Sequence, residues 1–370
     1  MPSGVSRTQP PRIWCLLGLK AGDNTQVSAL ANALGWQWRP IHIHARSWEL
    51  AAHLSLRVTL AGIDRRRSSE LAPPWPDLVI SAGRRNEPVA RWIQSRSGGL
   101  TRLIHIGRPW APLSTYDLIV TTPQYNLPAL SNIQHNTLPL HDHDHDVDAL
   151  AREAAALAPR LAGLPSPRIA VLLGGDSGRI VFTAEKGRRL GQLANTLALA
   201  SAGSIVLTSS PRTPGVAVTA CVEAITAPSF VHRWSPHAEN PYKGILGSAD
   251  AFIVTGESMS MLAEASALNR SLYIFNMADD PAVPWWRHAH AWRYKPISDR
   301  LAMRFAPQRM RRDVSRMQDA MADAGLAQWL DHTSAAAGLA AAGQCVVGVR
   351  SGEAELAVTA QRARALLDRE

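Results

Sequence analysis

Residues 248–277 read SADAFIVTGESMSMLAEASALNRSLYIFNM, and this stretch restricts the fold more than any other. Ala251–Thr255 is an apolar run of strand length, broken by Gly256-Glu257-Ser258. Met259–Leu268 has helical character and ends at Asn269-Arg270, and Leu272–Phe275 is a second apolar run. A strand, a helix and a strand within about thirty residues make a βαβ unit, which requires a parallel sheet. The turn after the first strand brings free backbone N–H groups and the positive end of a helix to one point, a ready anion site. At helical spacing Glu257, Ser260 and Glu264 share one stripe, and Met261, Ala265 and Leu268 share another. Either the first stripe holds a ligand below the helix start, or it is merely solvated while the second packs in the core.

The layout of strand, polar loop and helix recurs. Ile13–Leu17 is a strand, Gly18 to Gln26 a polar loop and Val27–Leu34 a helix. The loop is neither a Walker loop nor GxGxxG, so its chemistry must come from Lys20, Asp23, Asn24 and Gln26. Asp23, its single carboxylate, suits a general base, and a helix N-cap role for Asp23 or Asn24 is the plain alternative. Trp36–Ile43 reads as a strand and residues 48–60 as a helix. Asp77–Ser81 is a buried strand followed by Gly83-Arg84-Arg85, which puts Arg84 where open α/β sheets bind ligands; a surface ion pair is equally open. Further strands are expected at Leu103–Ile106 and Tyr116–Val120.

After an Ala-rich helix (Val147–Leu161) and Gly163-Leu164-Pro165-Ser166-Pro167, the pattern restarts. Ile169–Leu173 is a strand, Gly174 to Arg179 a glycine loop, and a helix begins near Ala184. Gly174 and Gly175 permit close backbone approach, and Arg179 supplies a positive charge; an ordinary tight turn is the alternative. Ser204–Thr208 is the next strand, with Arg212 at its end as a second candidate for a phosphate. Domains are therefore expected at 1–162 and 163–333, with 334–370 a loop and helix returning to the first.

Composition narrows the partners. The formal net charge is +9, which favours phosphorylated ligands and an acidic lipid surface. No zinc-finger spacing or RNA-binding aromatic motif points to nucleic acid. Cys15, Cys221 and Cys345 form no pairing pattern, and no apolar run approaches the ~20 residues of a membrane span. A cytosolic protein is expected, touching the inner face of a membrane with the Trp/Arg segments Trp285–His288 and Arg309–Arg316. The alternation His141-Asp142-His143-Asp144-His145-Asp146 could bind a metal, but such tracts more often do so adventitiously, and no metal or cofactor is assigned.

An ordered set of motifs carries a family resemblance from about residue 12 to residue 290. These are Gly18 to Gln26, Asp77–Arg84, Gly174-Gly175-Asp176, Thr208–Pro214, Asn240-Pro241-Tyr242 and Thr255–Ala265. The chain resembles the family named for plant mitochondrial fission and elongated mitochondria, in its bacterial branch of GT-B-like proteins. The resemblance implies an α/β fold of two Rossmann-like domains facing across a cleft, as in GT-B glycosyltransferases. It implies a metal-independent transferase using a nucleotide-diphospho sugar, with an undefined acceptor such as a cell-envelope lipid or saccharide. Glu264 would hold ribose. Gly174, Gly175, Gly256, Ser258 and Ser260, with Arg179 or Arg212, would hold the diphosphate, chiefly through the N–H groups of Ser258 and Gly175. Asp23 would be the base, and Lys20, Asn24, Gln26 and Arg84 would face the acceptor. Asn240-Pro241-Tyr242 would meet the base, and Asp279 and Asp280 the sugar. Members often carry Pro-x-His-Asp where this chain has Pro123-Gln124-Tyr125-Asn126, so any role of that pair does not transfer. Two other readings stay open: a non-catalytic membrane-associated adaptor, and a nucleotide-sugar epimerase with His232 or His237 as a further acid/base.

Overall fold

Two parallel sheets of six strands each organise the chain, seen in a computed structural model that describes residues 9–141, 147–279, 294–308, 311–341 and 351–368. The first compact unit comprises residues 1–142, 308–310 and 351–370, and the second comprises 143–307 and 311–350.

In the first unit the strands are β1 (Ile13–Leu17), β2 (Trp38–His42), β3 (Leu78–Ala82), β4 (Arg102–Ile106), β5 (Leu118–Thr121) and β6 (Ile133–His135). Their order is β2-β1-β3-β4-β5-β6, all parallel. Both faces of the sheet are covered. Ile13 and Cys15 join one core with Leu30, Ile80 and Ile104, whereas Trp14 and Leu16 join the other with Ile41, Val79 and Ile93. Burial on both faces is why these strands read as continuous apolar runs rather than alternating ones. Between them lie α1 (Ala21–Ala33), α2 (Glu49–Leu56) and α3 (Glu87–Arg96). Helix α1 begins at Ala21, six residues earlier than its apolar pattern shows, because the Asn24 side chain folds the loop onto itself. Its Oδ1 accepts from Gly18 N at 2.8 Å and its Nδ2 donates to Gly18 O at 2.9 Å.

The second unit starts with α4 (Val147–Leu161). Thus the chain crosses between units ahead of this helix, and the Gly/Pro segment at 163–167 only links it to the sheet. The strands are β7 (Arg168–Leu173), β8 (Ser204–Ser209), β9 (Ser229–His232), β10 (Ala251–Thr255), β11 (Ser271–Phe275) and β12 (Gln328–Trp329). Their order is β12-β11-β10-β7-β8-β9, again parallel. The described helices of this unit are α5 (Ala184–Ala200), α6 (Gly215–Glu223), α7 (Tyr242–Ser248), α8 (Met259–Ser266), α9 (Tyr294–Phe305), α10 (Ser315–Asp323) and α11 (His332–Ala341). The Ala-rich segment from 334 is thus helical, with a break at Gly338 where φ is 69°.

The last helix, α12 (Ser351–Arg364), belongs to the first unit. Ala360 and Ala363 enter the core beside Val27 and Leu30, and Glu355 accepts from Thr137 N at 2.7 Å. Arg364 donates to Ala33 O and Leu34 O at the C-terminus of α1, where a cation offsets the negative end of the helix dipole. No described helix is long and apolar enough to cross a membrane.

Candidate functional site

Open parallel sheets bind ligands where the strand order reverses, beyond the carboxyl ends of the two strands concerned. In the second unit the reversal lies between β7 and β10, so the loop 174–179 and the turn 256–258 meet there. The packing is close enough to demand glycine. A side chain at Gly174 would collide with Glu257 Oε1, and one at Gly175 with the Arg212 carbonyl. Gly174 N donates to Thr255 Oγ1 at 2.8 Å, and Gly175 N donates to Glu257 Oε1. Ser210 Oγ closes the loop from the other side by donating to Gly174 O at 2.5 Å.

Glu257 is the group that the sequence pattern misplaces. It lies not on a solvated stripe but fully buried beneath the glycine loop. Its Oε2 has no hydrogen-bond partner among the described residues. Burial pushes its carboxyl up to about 7, against the opposing pull of the Gly175 N–H and the Arg212 charge. The helical repeat cannot reveal this, because Glu257 precedes α8 and is aimed by the turn.

The two N–H groups expected to meet a diphosphate are both occupied within the protein. Gly175 N serves Glu257, and Ser258 N donates to Thr255 O at 3.1 Å. Gly256 N likewise donates to Phe275 O at 3.0 Å, and Gly256 O accepts from Gln318 Nε2 at 2.5 Å. What remains is the first turn of α8, whose N–H groups at Met259, Ser260 and Met261 have no acceptor inside the helix and whose cap residue Ser258 makes no side-chain cap bond. Ser260 is exposed there, and Glu264 lies one turn further on, half-buried. Tyr242, from the Asn240-Pro241-Tyr242 motif, donates its hydroxyl to Glu264 Oε2 at 2.5 Å. The motif expected to form a loop opens α7 instead, and burial together with the Glu264 charge holds the Tyr242 hydroxyl well above its ordinary pKa.

Of the two expected arginines, Arg212 contacts the glycine loop and Arg179 ends it. Arg212 is exposed and donates to Asp176 O at 3.1 Å, while Arg179 pairs with Asp313 at 3.7 Å. Arg312 reaches Ser177 Oγ at 3.4 Å, so this part of the basic run 309–316 faces the glycine loop. Asp279 is engaged elsewhere: Lys186 Nζ donates to one of its oxygens at 2.6 Å and Arg300 to the other at 2.8 Å. Lys186 is a buried lysine on α5, also donating to Val181 O and Met277 O. Nothing in its sequence context distinguishes it from a solvent-facing lysine. Asp280 and Trp285–His288 lie outside the described residues, as do Cys345 and all of the His/Asp run beyond His141.

The first unit reverses its strand order between β1 and β3, where residues 18–20 and 83–86 meet. Asp23 lies against Gly83 and 3.9 Å from Lys20 Nζ. Gln26 bonds back to Gly22 O at 3.2 Å, and Asn24 closes the loop, so both side chains are engaged in local structure. Arg84 does not present a free charge. It donates to Glu49 Oε1 at 2.7 Å, shared with Arg85 at 3.1 Å, and stacks over Trp110 at 5.0 Å. Asn86, unmarked by any motif, is buried beside Gly18; its Nδ2 donates to Leu16 O and Ala82 O, and its Oδ1 has no partner among the described residues. His232 is buried at the end of the edge strand β9, and desolvation, reinforced by Arg160, lowers its pKa. Among the described residues no group of three or more His, Cys, Asp or Glu side chains could hold a metal ion.

Comparison with known proteins follows the same lines. The family described as Mitochondrial fission ELM1 matches residues 21–304. Mitochondrial fission protein ELM1 of Arabidopsis thaliana is 26% identical over 220 residues, 54% of this chain and 51% of the plant protein. The match thus spans about half of that relative's own length. Uncharacterized protein RP120 of Rickettsia prowazekii (strain Madrid E) is 23% identical over 294 residues, 71% of this chain and 82% of that protein. Among solved structures, the UDP-GlcNAc 2-epimerase of Neisseria meningitidis, bound to UDP-GlcNAc, has a TM-score of 0.51 at 8% identity and covers 97% of this chain and 100% of its own. At such identity the likeness is one of fold, and that fold is the GT-B type shared by glycosyltransferases and nucleotide-sugar epimerases. With more than half of its residues matched by the family, the chain belongs to the mitochondrial fission ELM1 family.

Proposed function

We propose that the protein is a metal-independent glycosyltransferase that takes a nucleotide-diphospho sugar at the switch point of its second unit. The observation that carries this reading is the pairing on α8. A carboxylate held by the Tyr242 hydroxyl stands one turn from an uncapped helix N-terminus. Two ribose hydroxyls suit the Glu264 carboxylate, and a diphosphate suits the N–H groups of residues 259–261, the hydroxyls of Ser258 and Ser260, and the Arg212 or Arg179 charge. The fold match to a protein solved with UDP-GlcNAc supports the ligand class. In the reaction, the acceptor oxygen bonds to the anomeric carbon as the bond from that carbon to the diphosphate breaks. The negative charge leaves on the nucleoside diphosphate, stabilised by the same donors, and Asp23 takes the acceptor proton. Lys20, exposed in the first unit's loop, is the cation offered to an acidic acceptor.

Calorimetry of the purified protein against UDP-, GDP-, ADP- and CMP-linked sugars, without added metal, tests the donor site. One nucleotide class binds, and Glu264→Ala weakens it by about ten- to a hundredfold, the worth of a charge-assisted hydrogen bond to sugar hydroxyls. A folded protein that binds none of them refutes the transferase reading and leaves the adaptor. Turnover of the sugar without any acceptor would identify an epimerase instead.

A further inference from the structure

Helix α2 is inside out. Its polar residues Glu49 and His53 are turned inward, each 7% exposed, while the residues that follow them, Leu50 and Leu54, are 37% and 61% exposed. Trp48 at its start is 47% exposed and Val58 just beyond its end 38%. The inversion has a physical cause. Glu49 is drawn in by Arg84 and Arg85, and His53 packs edge-on against Trp110 with ring centroids 5.7 Å apart. Once those two anchors face the loops after β3 and β4, the helical repeat turns Leu50 and Leu54, each one residue on, about 100° away from them. Exposed apolar residues clustered in this way and rimmed by polar ones mark an interaction surface.

Its surroundings define which. Arg46 stacks over the Trp48 ring at 5.6 Å, Arg57 is exposed next to Val58, and Arg65, Arg66 and Arg67 are exposed in the turn that follows. That turn belongs to the same lobe: Gly62 packs against the Glu49 backbone, and Ala45 bridges Ile63. The acidic residues between 45 and 70 offset this charge only in part. Glu49 is buried on two arginines, and Asp64 and Glu70 leave the five exposed arginines Arg46, Arg57, Arg65, Arg66 and Arg67 in clear excess. A twofold pairing of this face would bring two such arginine clusters together, which like-charge repulsion opposes. Leucines flanked by tryptophan and arginine fit a bilayer instead: the leucines enter the acyl boundary, the indole sits at headgroup depth, and the guanidinium groups meet lipid phosphates.

We propose that this face of the first unit, α2 together with the arginine turn at 65–67, docks on the surface of an anionic lipid bilayer. The loop after β1 lies at the same edge of the sheet, since Ile43 N donates to Leu17 O at 2.8 Å, and it ends in the exposed Leu19 and Lys20. Docking by α2 therefore sets this loop, and Asp23 on the first turn of α1 after it, on the side of the lipid headgroups. The proposal stands whether or not the second unit transfers a sugar.

Co-sedimentation of the full chain with vesicles tests it, using phosphatidylglycerol and phosphatidylcholine in equal parts against phosphatidylcholine alone. The protein partitions onto the anionic vesicles and is released by salt. Arg65→Gln with Arg66→Gln and Arg67→Gln weakens partition about a hundredfold, and Leu50→Ser with Leu54→Ser weakens it about tenfold or more with all arginines retained. Because the two leucines are exposed, the second variant keeps the wild-type circular dichroism and melting temperature. A polarity-sensitive dye on Leu54→Cys, in a chain with Cys345→Ser, shifts to the blue on the anionic vesicles. No partition at low salt, partition unchanged in both variants, or a wild-type dimer that the leucine variant dissolves would each overturn the proposal, the last by giving the face to a second copy of the chain.

Discussion

Glu257 shows how much a single side chain can concentrate. Its carboxyl is buried beneath the glycine loop, accepts from Gly175 N, and ionises only near pH 7. That has a consequence for stability. Below its ordinary value of 4.5 the group is protonated in folded and unfolded chains alike. Between 4.5 and about 7 the unfolded chain gives up the proton and the folded chain keeps it, so stability falls as pH rises through this window. Above it the full cost, roughly 3 kcal/mol, is present. Glu257→Gln keeps an oxygen for Gly175 N and removes the charge. The variant should match the wild type at pH 4 and melt at a clearly higher temperature at pH 8, which pH-dependent calorimetry will read. A variant no more stable than wild type at pH 8 would show that the buried carboxyl carries no such penalty. The same linkage bears on ligand binding: a diphosphate arriving beside this loop raises the pKa of Glu257 further, so its binding should take up a proton near pH 7.

At the scale of elements, loops and helices at the two switch points are held by contacts that local propensity does not describe. The loop after β7 is the clearest case. Gly175→Ala places a methyl group on the Arg212 carbonyl, a backbone atom that cannot swing aside. It should cost about 1–3 kcal/mol of stability by overpacking and weaken nucleotide-sugar binding with it. Gly163→Ala, with open space around it, should change the free energy of unfolding read from urea titration by no more than about 0.5 kcal/mol. Equal effects of the two would mean that the close approach does not matter. Helix α1 makes a related point. Its apolar stripe from Val27 marks where it packs, whereas its start at Ala21 is determined by Asn24 bonding to both polar atoms of Gly18. Asp23 thereby sits on the first turn of a helix rather than in a free loop, beside Gly83 from the neighbouring strand end.

Over the whole molecule, the first unit is assembled from the two ends of the chain. Helix α12 supplies Ala360 and Ala363 to the core of α1 and pins residues 133–138 through Thr359, Glu355 and Arg362. A chain ending at residue 350 leaves that apolar surface on α1 uncovered and strips partners from Asn136, Thr137 and Gln134. Differential scanning calorimetry should then show the transition of the first unit shifted to lower temperature or lost, and that of the second, whose core lies in residues 169–339, retained. Loss of both transitions together would mean that the two units unfold as one.

The sequence alone determined most of the two parallel sheets, because strands buried on both faces must be apolar runs and the polar loops between them carry glycine and proline at fixed places. It also marked the two loops, at 18–26 and 174–179, that follow the first strand of each unit and end at its switch point. Helices α3 and α6 were not legible although each follows a buried strand, since their buried faces are defined by neighbours distant in sequence. Tertiary structure alone decided which polar groups face which. Glu257 and Glu264 lie seven residues apart, yet the first is sealed under Gly175 and the second held out by Tyr242. Arg84, which the sequence leaves open to an anionic ligand or an ion pair, is found on Glu49, and Leu50 and Leu54 of α2 are left outside. The physical reason is common to all of these. Apolar burial is non-directional and leaves a periodic trace along the chain, whereas a hydrogen bond or ion pair depends on two groups brought together by the fold, and neither one signals its partner in the sequence.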